Sequence, residues 1–131
     1  MSPKIVLLAA GLALGFGDIA AAHHSTAAYD ADHMQTMEGI VKIVNWTNPH
    51  ITFVVEKDVK SGEPASTWVF EVSSPGVLTR SGWTKRSLQA GDHAAFRYAP
   101  LRDGTAGGFL LKVTLPNGKE LSYSLTPPDD Q

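Results

Sequence analysis

Three features of this sequence predict a small all-β fold. Five runs are rich in β-branched and aromatic residues, which suit a pleated, half-buried surface. Turn chemistry built on glycine, proline and asparagine separates the runs. One short helix signal falls between the third run and the fourth. That order of elements is the order of a five-stranded OB-like barrel. An immunoglobulin-like sandwich is the competitor, and it needs about seven strands.

The first residues do not belong to the fold. Lys4 supplies a positive start, and "IVLLAAGLALGF" (residues 5–16) is an apolar core of signal-peptide length. Ala20 and Ala22 meet the small-x-small rule, so cleavage is expected after Ala22. Residues 1–22 therefore read as a signal peptide, and the product as periplasmic or secreted. The apolar run is shorter than the roughly 20 residues that a membrane span needs. No membrane insertion is expected after cleavage. The chain has no cysteine, which excludes disulfides, thiolate metal ligation and thiol catalysis. Such a domain must rest on its apolar core.

Residues 23–36 read as an extended arm, residues 37–125 as the barrel and residues 126–131 as a frayed tail. The first strand is expected over residues 40–46, opened by Gly39. Adjacent Ile43 and Val44 break its alternation and predict a bulge or a strong bend. "TNP" turns the chain, because the residue before a proline is driven away from helix. Residues 50–56 form the second strand. Ile51, Phe53 and Val55 share its core face; His50, Thr52, Val54 and Glu56 share the other. The third strand, residues 67–73, points Trp68, Phe70 and Val72 one way and Val69 and Glu71 the other. Ser74 caps a short helix with Pro75 in its first position, Val77 and Leu78 buried and Gly82 as the stop. Leu88 packs inward. "HAAFRYAP" and "FLLKVTLP" are strands four and five, joined by "LRDGTAGG". Asn117-Gly118 turns into a last short edge strand.

The motifs "HHS", "YDAD", "EGIVKIVNWTNPH", "WVFEVSSPGVLTRSGW", "LQAGD" and "VTLPNGKEL" together resemble a family of small exported proteins, DUF6152. The resemblance runs in order along the chain beyond the signal. "WTNPH" and "SPGVLTRSGW" carry most of its specificity. It implies export and a small all-β domain, and it brings no established activity. His23, His24, Asn48, His50 and Glu71 stand at positions matching its motifs; His33, Met34 and Met37 do not.

Cleavage after Ala22 would leave His23 with a free α-amine, whose pKa is near 7.7–8. Amine and imidazole nitrogen from one residue, with a nitrogen from another histidine, suit Cu(II), which favours nitrogen-rich tetragonal sites. The arrangement is similar to the histidine brace of copper oxygenases and carriers. His50, at the start of a strand just after a turn, is the expected partner of His23 and His24. Glu71 is the expected oxygen ligand, ahead of Asp30 and Asp32. Cleavage one residue earlier would put a histidine third and give a closed square-planar site instead. Solvation alone also accounts for two terminal histidines, and His50 can equally hydrogen-bond its own turn. "HMQTM" offers soft thioethers to Cu(I), although flexible packing explains such methionines better.

Other chemistries find little support. The formal net charge is −2 and Lys85-Arg86 is the one adjacent basic pair, so no nucleic-acid partner is expected. No serine sits in a G-x-S-x-G setting, and the glycine-rich "DGTAGG" lacks the phosphate-loop lysine. Two readings stand. One is an exported copper-binding domain with a carrier or accessory role, which does not require catalysis and allows a periplasmic protein partner. The other is a metal-free binding module using an OB-type groove at Trp46 and Asn48. Trp46, Trp68 and Trp83 also read as core residues.

Overall fold

The computed structural model describes residues 26–123. A 3-10 turn (Thr26–Ala28) is followed by β1 (Gln35–Asn45), β2 (Thr52–Lys57), β3 (Ser66–Glu71), α1 (Pro75–Arg80), β4 (His93–Pro100), β5 (Gly107–Thr114) and β6 (Glu120–Ser122). The sheet order is β3-β2-β1-β4-β5-β6, and a parallel pairing of β3 with β5 closes the first five strands into a barrel. Every other pairing is antiparallel. The helix lies between β3 and β4, as the order of signals in the sequence predicts. Residues 1–22, expected to be a signal peptide, His23, His24 and the 126–131 tail lie outside the described residues.

β2 follows its alternation closely. Ile51, Phe53 and Val55 are fully buried, while Thr52, Val54 and Glu56 lie on the outer face. The predicted irregularity in β1 is present, one step early. The register shifts between Val41 and Ile43, so Lys42 is the extra residue. Val41 stays in the core and Ile43 turns outward, half exposed.

β1 begins at Gln35, upstream of the expected residues 40–46. Residues 35–40 pair with Tyr98 back to His93 on β4. "QTME" offers only Met37 to the core, so its local pattern carries no strand signal. Long-range pairing makes the strand there. Met37 is 6% exposed and serves as a packing residue.

α1 matches its capping signals, but Val77, expected to be buried with Leu78, is only half-buried. The Ser74 side chain accepts a hydrogen bond from the Val77 N–H at 3.4 Å, and Pro75 opens the helix. Leu78 is buried, and Gly82 leaves the helix at φ +87°, a conformation that favours glycine. The chain then drops Trp83 into the core, where its indole N–H donates to the Ser122 carbonyl at 3.0 Å.

The barrel interior is aromatic. Phe70 stacks on Phe96 with centroids 5.5 Å apart and meets Tyr98 at 4.8 Å. No polar or charged residue is buried among the described residues. Each large side chain taken fully from water contributes about 1.5–3 kcal/mol, which is how a cysteine-free domain of this size holds together. The seam between β3 and β5 needs close backbone approach. A Cβ on Gly107 would lie 2.3 Å from the Val69 carbonyl oxygen, so only glycine fits there.

Candidate functional site

His50 and Glu71 meet because of strand parity. Thr52 pairs with Glu71 across β2 and β3, and both point outward. His50 lies two residues before Thr52 and so shares its face. Backbone hydrogen bonds extend the pairing beyond the strand ends. The Ile51 N–H donates to the Ser73 carbonyl at 3.0 Å, and the Val72 N–H to the Ile51 carbonyl at 2.9 Å. His50 Nδ1 is thereby placed against Glu71 Oε1. The pair is half-sheltered, with side chains 32% and 20% exposed.

The second oxygen of Glu71 is held by a residue that sequence reasoning missed. The Tyr29 hydroxyl donates to Glu71 Oε2 at 3.1 Å. Tyr29 comes from the arm. Its backbone bridges to Leu101, the following Asp30 N–H donates to the Pro100 carbonyl at 2.8 Å, and the Arg102 N–H donates to the Ala28 carbonyl at 3.0 Å. Its ring meets Phe109 edge-on at 5.5 Å, and Phe109 is the β5 residue paired with Glu71 across the seam. Burial, followed by the negative charge of Glu71 and the hydrogen bond to it, pushes the Tyr29 pKa from 10.0 to about 12. Tyr29 is therefore a phenol donor throughout the physiological range. The arm is thus tied down next to the His50–Glu71 pair.

The remaining described histidines also face carboxylates. His93 Nε2 lies 2.6 Å from Asp58 Oδ2, and His33 Nδ1 lies 2.9 Å from Asp30 Oδ2. The hydrogen bond from His33 holds the Asp30 carboxyl below its ordinary range, with Arg102 adding positive charge. Asp30 is thus engaged within the arm, and Asp32 is exposed. Met37, one of the two thioethers beside His33, belongs to the core.

Trp46 is half-buried and packs against the core, while Asn48 is exposed in the turn, ahead of a cis bond to Pro49. A groove of about 410 Å³ opens elsewhere, at the far end of β2. Gln35, Glu38, Lys57, Lys60, Trp68 and Tyr98 are among its walls. Neither Trp46 nor Asn48 lines it. Among the described residues, no group of three or more histidine, aspartate or glutamate side chains is gathered to hold a metal ion. Of the expected ligands His23, His24, His50 and Glu71, the described residues include His50 and Glu71, and these two meet.

Fold and site together define a small closed β-barrel with a histidine–glutamate–tyrosine cluster on its outer face, where the arm docks. Residues 12–111 match the family model described as "Family of unknown function (DUF6152)", and the chain belongs to that family. No curated protein matches the chain, and no solved structure does.

Proposed function

We propose that this protein is exported, loses residues 1–22 and binds one metal ion, copper in preference, between its new N-terminus and His50. It would act as a carrier or accessory factor, and binding alone meets that role. The observation that carries this reading is the tether at Tyr29. His23 precedes Tyr29 by six residues; Thr26–Ala28 form a 3-10 turn, and the three steps from His23 to Thr26 add at most roughly 10 Å when extended. The start of the processed chain thus stays within covalent reach of His50. The α-amine and imidazole of His23, the imidazole of His24 and that of His50 make a nitrogen-rich set suited to Cu(II).

The test is copper titration of the protein recovered after export, with its N-terminus fixed by intact mass. Near-stoichiometric Cu(II) binding is expected, lost in His50→Ala and in His23→Ala/His24→Ala. Binding no tighter than that of the double variant sinks the reading.

A second reading, a metal-free binding module, draws support from the groove at Trp68 and Tyr98. Barrel mouths of a few hundred Å³ are common ligand sites. It predicts that Trp68→Ala abolishes partner capture while the histidine variants leave it intact.

A further inference from the structure

We infer that Glu71 and Tyr29 are positioning residues that fix the tautomer of His50, so that His50 offers Nε2, and not Nδ1, to a bound metal ion. The inference deepens the metal-binding reading and rests on it for its purpose, although its central test needs no metal.

The argument is one of donors and acceptors. An ionised carboxylate only accepts hydrogen bonds. Glu71 Oε1 faces His50 Nδ1, so that nitrogen must carry the proton. In the uncharged ring the lone pair is then on Nε2. Glu71 does not swing freely, because Tyr29 donates to its other oxygen at 3.1 Å. Tyr29 in turn is held by its bridge to Leu101 and by the Phe109 ring. Each group is oriented by the next, from barrel backbone to imidazole. Metal-bound histidines commonly donate their second ring N–H to a carboxylate, which sets ring orientation and raises ligand basicity. Glu71 has a partner on each oxygen and sits behind the imidazole. This moves it from the oxygen-ligand role that the sequence suggests to a supporting one.

Nitrogen-15 NMR of the metal-free exported protein, at a pH where the imidazole is uncharged, reads the tautomer directly. His50 is expected as the Nδ1–H form in the wild type. In Glu71→Ala it should revert toward the Nε2–H form that free histidine prefers. A wild-type His50 in the Nε2–H form, or an even mixture, overturns the inference. Copper titration supplies the second arm. Glu71→Gln should bind roughly 10- to 100-fold more weakly, and Tyr29→Phe should weaken binding less, with unchanged circular dichroism in both. Undiminished affinity in Glu71→Gln overturns the positioning role. If the wild type binds no copper, the metal reading falls, and the tautomer measurement still decides the state of His50.

Discussion

His50 with Glu71 and His93 with Asp58 join the same two chemical groups across the barrel wall, in different settings. The first pair sits where β2 begins and β3 ends, half-sheltered, with a tyrosine behind the carboxylate. The second sits where β2 ends and β4 begins, with side chains 47% and 44% exposed. Asp58 is followed by a polar loop in which Val59 and Lys60 are exposed. Water and salt screen the second pair, and such pairs contribute about 0–1 kcal/mol. In the first, removing one member leaves a partly desolvated polar group without its partner, which costs more. The lesson is that the chemistry of a histidine–carboxylate pair is common, and its support from the fold sets it apart.

Three substitutions would sharpen that contrast or break it. Gly107→Ala should have the largest effect. Its Cβ would meet the Val69 carbonyl oxygen at 2.3 Å and push β5 from β3. Destabilisation of about 1–3 kcal/mol is expected in chemical denaturation. His50 resonances should shift while those of His93 hold still; equal shifts at both would erase the contrast.

Tyr29→Phe comes next, at about 1 kcal/mol for the lost hydrogen bond. It also has a pH signature. The Tyr29 pKa is raised on folding, from 10.0 to about 12. Its contribution is therefore complete below pH 10 and is lost as the pH rises toward 12. Burial raises the Tyr98 pKa as well, in the same direction. The difference between wild-type and Tyr29→Phe stability across that alkaline window isolates Tyr29. A constant difference would contradict the raised pKa of Tyr29, which burial causes first and Glu71 second.

His93→Ala should matter least, costing under about 1 kcal/mol and shrinking further in high salt. Melting temperatures at low and high salt measure it. A loss exceeding that of Tyr29→Phe would invert the ranking of the two pairs.

Local rules read much of the fold correctly. The period of two in "HITFVVE" assigned Ile51, Phe53 and Val55 to the interior, where they are fully buried. Ser74, Pro75 and Gly82 mark the helix by capping chemistry that acts within one turn. The early start of β1 escaped because "QTME" becomes strand only by pairing with β4. The site was half legible. His50 and Glu71 each stood out on an outward strand face. Tyr29 did not, because one aromatic residue in a polar arm has no pattern around it. Its hydroxyl within a motif shared with the DUF6152 family was the available cue.

Apart from the early start of β1, the sequence by itself determined the elements: which faces are apolar, where the chain turns, where the helix is capped. Those choices depend on side chains a few residues apart, so a short window contains their causes. Only the tertiary structure decided the parallel closure of β3 on β5 and the meeting of Tyr29, His50 and Glu71. Tyr29 and Glu71 are 42 residues apart in sequence. Contact between them exists because barrel closure brings Phe109 beside Glu71 and the arm docks on the β4–β5 connection. No local rule encodes a contact that depends on the path of the whole sheet.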